Sequence, residues 1–423
     1  MGFSMTTYHL PYGHTQQTFV LPASFQADLI DPACQPGASN PQEVIVSALR
    51  SPVAQFPLEH FRGSGQVVVA INDKTRPVPH DILLPPLLSR LEEIGIPKDH
   101  ITLIIATGTH IPMTPKEYKM VVPEPILEQY RVVSHDCDAG DLIELGKTQR
   151  GTTVRVNRQF YEADLKILVG NIEPHHFAGF SGGQKTAAIG LTGRDTINHN
   201  HAMLVDPLAR IGEYERNPLR QDIEEIGQMI GAHYALNAVL NAEKKIIAAY
   251  FGDPAEVMRV GIPTSRSVTQ TQVAHPYDLV IASAGGHPKD INFYQAQKAL
   301  TYAALLARDG GTVILCVACE EGSGSLSYER FMEGVPSFDA VMEKFARVGF
   351  QVGPHKAIQV ALIGRRVKII VVSQMPADLV RRFLLVPAPD LQTAVRLAQA
   401  ALPEIAEVAI LPHATNTIPL LAA

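Results

Sequence analysis

Lys166-Ile-Leu-Val169 runs without a break into Gly170-Asn-Ile-Glu-Pro-His175-His176, so a short apolar run ends abruptly in a polar loop that opens on a glycine. The same arrangement recurs along the chain. Val67-Val-Val-Ala-Ile71 is followed by Asn72-Asp73-Lys74-Thr75-Arg76-Pro77, and Ile101-Thr-Leu-Ile-Ile105 by Ala106-Thr107-Gly108-Thr109-His110. Leu279-Val-Ile-Ala282 and Thr312-Val-Ile-Leu-Cys316 are two more such runs. Segments this nearly continuous in β-branched and aliphatic residues read as strands covered on both faces, as in parallel sheets. Stretches of helical spacing lie between them, which gives repeated strand, loop and helix units and an α/β class.

One such stretch, Ile82 to Ile94, sets Leu83, Leu84, Leu87, Leu88 and Leu91 at helical spacing, and Pro85 and Pro86 place its expected start near the second proline. A chain of 423 residues exceeds what one core usually organises. The turn-rich stretch from Arg259 to His275 marks the boundary. The expected division is an N-terminal α/β domain over residues 1–272 and a C-terminal α/β domain over 273–423. Each is expected to rest on a mainly parallel or mixed sheet flanked by helices, with the active site in the cleft between them and the last residues packed back on the N-terminal domain. A strand near Val367 to Val372 and a helix over Asp390 to Ala401 belong to the second.

Hydrophobic residues make up 46% and charged residues 18%, as in ordinary globular proteins. A formal net charge of -6 offers no broad basic field, which argues against nucleic acid and membrane surfaces as partners. No basic residue precedes Arg50 and no apolar run is long enough to span a bilayer, so a cytoplasmic protein is expected. Met1-Gly2 with Thr6 meets the loose N-myristoylation pattern, but no polybasic stretch supports it. The cysteines, Cys34, Cys137, Cys316 and Cys319, are too few and scattered for a disulfide framework. Cys316-x-x-Cys319 lacks a second pair to complete a zinc site and reads as burial at a strand end.

In open parallel sheets ligands gather beyond the carboxyl ends of the strands, so the residues after each run carry the chemistry. Arg76 beside Asp73 suits a two-point grip on a carboxylate, and His110 puts an imidazole at a strand end. The segment Gly179-Phe-Ser181-Gly182-Gly183-Gln-Lys185-Thr186 can present backbone N–H groups to a nucleotide phosphate. It is not a P-loop, because Gln184 separates Gly183 from the lysine. Asn198-His199-Asn200-His201 offers one metal ligand more readily than two, since residues two apart diverge on a regular element, and no H-E-x-x-H supports a zinc hydrolase. Tyr294, Gln295 and Lys298 are expected on one helix face after the Leu279 run.

Taken in order, Asp73-x-x-Arg76-Pro77, Thr107-Gly-Thr-His110, Pro174-His175, Gly179-Phe-Ser-Gly-Gly-Gln-Lys185, Asn200-His201, Tyr294-Gln295-Ala-Gln-Lys298 and Cys319-Glu-Glu-Gly-x-Gly324 resemble the nickel-dependent lactate racemase family over nearly the whole chain. The resemblance implies a racemase or epimerase of 2-hydroxy acids. It implies nickel in a pyridinium-3,5-bisthiocarboxylic acid mononucleotide joined to Lys185 beside Ser181, Gly182 and Gly183, made by separate cofactor-synthesis enzymes. His201 rather than His199 matches the family's nickel ligand, and His110 and His175 match its acid/base pair. Arg76, Gln295 and Lys298 match its substrate set, with Asp73 and Tyr294 in support. Hydride would pass to the cofactor and back through a 2-keto acid, which avoids a carbanion. One departure is Ile111-Pro112 after His110, where the family often has Arg-Pro. A non-catalytic nickel-cofactor carrier and a P-loop-like NTP-dependent enzyme are the competing readings.

Overall fold

The computed structural model describes residues 6–31, 35–76, 78–351 and 353–421, so the Met1-Gly2 pattern, Cys34 and Pro77 lie outside the described residues. Two compact units result, one of residues 34–268 and one that joins residues 1–33 to 269–423. The opening residues therefore do not belong to the domain expected for them. Gln26–Leu29 pairs in parallel with Glu407–Leu411 and completes the other unit's sheet. Ile418–Leu421 pairs in parallel with Gln270–Val273, within the unit of residues 1–33 and 269–423.

In the unit of residues 34–268 a six-stranded sheet runs in the order Ile246–Gly252, Tyr234–Leu240, Leu165–Asn171, Val67–Asn72, Ile101–Ala106, Arg131–Ser134. All neighbours are parallel except the first pair. Every residue of Leu165–Asn171 is buried, as its unbroken apolar run requires. The helix His80–Glu93 starts well before the second proline and carries both prolines inside it. Leu83 and Leu84 lie upstream of Pro86 and are fully buried in the core with Leu87, Leu88 and Leu91. Burial worth roughly 1.5–3 kcal/mol per leucine offsets the two backbone hydrogen bonds the prolines cannot make.

From Val67–Asn72 the chain builds outward through Ile101–Ala106 and Arg131–Ser134, then returns to the other flank with Leu165–Asn171. The strand order reverses between Val67–Asn72 and Leu165–Asn171. In sheets of this kind ligands usually bind beyond the carboxyl ends of the strands at such a reversal.

The other unit has a fully parallel sheet in the order Val386–Ala388, Lys368–Val372, Ala307–Cys316, Tyr277–Ser283, Glu407–Leu411, Gln26–Leu29. Helix Phe293–Ala304 follows Tyr277–Ser283 and is capped by Asn292, whose Oδ1 accepts from the Gln295 N–H at 3.1 Å. Asp390 caps Leu391–Gln399 in the same way. Cys316 ends its strand; it and Cys319 are buried free thiols that burial, then the Asp290 charge, push up from the usual range. Among the described residues no helix is long and apolar enough to cross a membrane.

Candidate active site

Asp73 leaves the end of Val67–Asn72 and is buried. Its Oδ1 accepts from the Thr75 N–H at 3.1 Å and O–H at 2.7 Å, while His110 Nδ1 stands 2.6 Å from Oδ2. Burial alone would raise this carboxyl. The hydrogen bonds from His110 and Thr75, with the His110 and Arg76 charges, outweigh it and hold Asp73 below the usual carboxylate range. An ionised carboxylate only accepts, so the proton of neutral His110 sits on Nδ1 and Nε2 keeps its lone pair. The Arg76 guanidinium makes only long contacts, to Thr75 O at 3.5 Å and Oγ1 at 3.4 Å, and pairs with no carboxylate within 4.0 Å among the described residues.

The loop after Leu165–Asn171 turns back on itself as a short hairpin, with His175 opposite Gly179. His175 Nδ1 accepts from the Ala178 N–H at 3.1 Å, which leaves the proton of the neutral ring on Nε2. Its ring stacks on His176 at 4.5 Å and meets the edge of Phe177 at 4.7 Å. Burial, followed by the positive charges of Lys185, His176, Arg76 and His201, pushes His175 well below the ordinary imidazole range.

Gly182 and Gly183 have φ of 93° and 55°, a region that favours glycine, and a Cβ on Gly183 would stand 2.5 Å from Met258 Cγ. The N–H groups of Ser181 and Gly183 donate to Glu173 O and Asn237 Oδ1, both at 2.7 Å. Those two bonds hold the loop itself. Beneath the loop lies Arg220, fully buried, donating to Phe180 O at 2.8 Å and Gly182 O at 3.1 Å, with its Nε on Glu224 Oε1 at 2.8 Å. Lys185 follows at the start of Lys185–Ala188. Burial first, and then the Arg76 and Arg220 charges, push its ammonium down to about 7, so a large share is free amine at neutral pH.

Helix Arg194–Ala202 carries both remaining histidines. His201 Nδ1 lies 3.0 Å from Asn200 Oδ1, and its ring meets Phe177 edge to face at 5.0 Å. His199 is exposed, with Nδ1 2.7 Å from Thr152 Oγ1. His201 thus faces the His175 loop and His199 the β-hairpin turn. In the other unit Lys298 Nζ donates to Gln295 Oε1 at 3.1 Å, one face as expected, and the Tyr294 ring lies 5.1 Å from Lys356 Nζ and edge-on to His355.

Arg220, Asp222, Thr152 and Asn237 escape the sequence reading. An Arg and a Glu four apart on an amphipathic helix look like a solvated surface pair, and nothing local shows that this pair faces a loop's carbonyls.

Residues 12–212 match the lactate racemase N-terminal domain and residues 272–418 the lactate racemase C-terminal domain. A lactate racemase of Thermoanaerobacterium thermosaccharolyticum is 30% identical over 424 residues, covering 98% of this chain and 99% of that one. One from Lactiplantibacillus plantarum is 34% identical over 287 residues, 67% of each chain. The structure of the lactate racemase apoprotein from Thermoanaerobacterium thermosaccharolyticum superposes with a TM-score of 0.89 at 28% identity, over 98% of this chain and all of that one. A crystal structure of a Thermotoga maritima protein shares the fold at 17% identity, with a TM-score of 0.66 over 92% of this chain. Two α/β units with a histidine-rich switch point thus make up an isomerase, a racemase by reaction class. The chain belongs to the lactate racemase family.

Proposed function

We propose that this enzyme racemises or epimerises a small 2-hydroxy acid, lactate or a close relative, with nickel held in a pyridinium-3,5-bisthiocarboxylic acid mononucleotide joined to Lys185. The Lys185 amine carries the reading: it follows a rigid glycine loop, is pushed down to about 7, and acts electrostatically on His175. An amine that is largely unprotonated at neutral pH suits a covalent anchor.

The donor set fits the metal as well. His201, with Nδ1 turned to Asn200, offers a single Nε2 lone pair. Among the described residues the group of three metal-capable side chains is Asp136, Cys137 and Asp138, which includes none of the site histidines, so a metal at His201 needs its other ligands from a cofactor. Bound there, the pincer would supply an acceptor and donor of hydride for the substrate's Cα, so that a 2-keto acid rather than a carbanion would have to be held.

The protein's part is proton transfer and grip. His110 Nε2 takes the hydroxyl proton of one enantiomer, and Asp73 stabilises the imidazolium that forms. His175 serves the hydroxyl of the other, which lies on the opposite side of Cα. Arg76, free of any carboxylate partner among the described residues, anchors the substrate carboxylate in two-point fashion. Gln295 and Lys298 are assigned to the substrate oxygens and Tyr294 to their support. The cytoplasm and a supply of cofactor from dedicated synthesis enzymes complete the proposal.

Produced together with those enzymes, the chain should carry a nickel-bearing mass adduct that Lys185→Ala lacks, and should interconvert the two lactate enantiomers. No adduct, under conditions where a lactate racemase control acquires one, overturns the reading.

A further inference from the structure

We infer that Asp222, which touches neither substrate nor metal in the reading above, fixes where the proton sits on His201 and so keeps Nε2 of that ring available as a ligand. The inference rests on that reading only for the identity of the ligand; the proton's position follows from the hydrogen bonds alone.

Asp222 lies on helix Pro218–Ile230 and is fully buried. Its Oδ1 accepts from Thr148 Oγ1 at 2.6 Å, and its Oδ2 from Thr152 Oγ1 at 2.9 Å and from Asn200 Nδ2 at 2.9 Å. One carboxylate therefore joins the turn between Ile143–Lys147 and Thr153–Val156, helix Arg194–Ala202 and its own helix.

The direction of each bond is forced. Asn200 has two acceptors around its nitrogen, Asp222 Oδ2 and Leu219 O at 3.0 Å, so its NH2 must face them. The Oδ1 atom is then left toward His201 Nδ1, 3.0 Å away, and only a proton on Nδ1 satisfies that contact. The lone pair is thereby assigned to Nε2. A parallel chain runs the other way: Thr152 gives its hydroxyl proton to Asp222, so its oxygen accepts from His199 Nδ1 at 2.7 Å. Were Asn200 to turn its amide over, an NH2 would face His201 and drive the proton to Nε2, which cannot then bind a metal without losing it.

Acceptor capacity, not charge, is what the arrangement uses. Asp222→Asn can keep its carbonyl oxygen toward Thr152 and Asn200 and give its NH2 to Thr148 Oγ1, so it should preserve the pattern. Asp222→Ala removes the acceptor and frees the Asn200 amide. A merely structural or electrostatic role would group these variants differently, the Asn change being as harmful as any that removes the charge.

The experiment is long-range proton–nitrogen NMR of the histidine rings in the cofactor-free full chain, with the His201 signals assigned by their loss in His201→Gln. Wild type and Asp222→Asn should show His201 protonated on Nδ1, and Asp222→Ala should show a mixture or Nε2 protonation. If Asp222→Ala does not fold, Asn200→Ala replaces it, with the same loosening expected. A wild-type His201 protonated on Nε2, or an unchanged ring in the folded Asp222→Ala or Asn200→Ala chain, overturns the inference. Nickel content after production with the synthesis enzymes is read beside it. About a ten- to hundredfold loss of nickel affinity in Asp222→Ala, with rescue in Asp222→Asn, supports the ligand role. Should wild type show the expected ring state yet acquire no nickel, the cofactor reading fails while the positioning of His201 by Asp222 stands.

Discussion

His110 and His175 follow the two strands that flank Val67–Asn72 in one sheet, yet each is held through Nδ1 with the opposite polarity. At His110 a carboxylate receives the Nδ1 proton, and at His175 a backbone N–H points into the Nδ1 lone pair. The neutral rings therefore present different faces: a lone pair on Nε2 at His110, a proton on Nε2 at His175. A reaction that must treat two mirror-image hydroxyls needs one group ready to take a proton and one ready to lend it, and the scaffold sets up both from a single residue type.

The sharpest way to break this comparison is to remove each ring in turn. His110→Ala and His175→Ala in the cofactor-loaded enzyme should each reduce racemisation by roughly 10²–10⁴-fold. His175→Ala should still form keto acid from the enantiomer that His110 serves, whereas His110→Ala should form little from either, because neutral His175 carries its proton on Nε2, as chiral chromatography of single-turnover products would show. Retention of the same enantiomer by both variants would mean that the rings do not divide the substrate between them.

Asp73→Asn tests the carboxylate side alone. The bond lost is a charge-assisted one, worth about 1.5–3 kcal/mol, so turnover should fall about ten- to hundredfold with nickel retained. Nickel analysis beside steady-state kinetics would check both halves of that statement.

The smallest effect is on stability. His175 is neutral in the fold well below its ordinary range because of burial and then the surrounding cations, whereas the unfolded chain protonates it near 6.5. The unfolded state therefore binds the extra proton first as pH falls, and the fold loses stability below about pH 6.5, by no more than about 1.4 kcal/mol per pH unit. His175→Gln should lack this contribution. Urea midpoints of the cofactor-free chain at pH 7 and pH 5 should lie closer together in the variant than in wild type.

The strands were legible because both faces of Leu165–Asn171 and its neighbours are buried, so the apolar run has no polar alternation to confuse it. The polar residues that end those runs were legible for the same reason. Gln26-Ala-Asp-Leu29 was not, since an edge strand with largely exposed side chains has no pattern of its own, and its pairing with Glu407–Leu411 spans almost the whole chain. The start of the helix at His80 was hidden by a local rule about proline that burial of Leu83 and Leu84 overrides. Arg220 and Asp222 were beyond reach because their partners, loop carbonyls and an asparagine amide, come from distant segments that only the fold brings together.

Arg220 also bears on when the anchor loop acquires its shape. A guanidinium that already grips Phe180 O and Gly182 O, and is itself neutralised by Glu224, orders the turn within the chain itself. The conformational entropy of that turn is lost during folding rather than during attachment. With the proposed cofactor, maturation would then be a docking onto a finished receptor, and its rate should follow the supply of cofactor rather than any rearrangement of the chain.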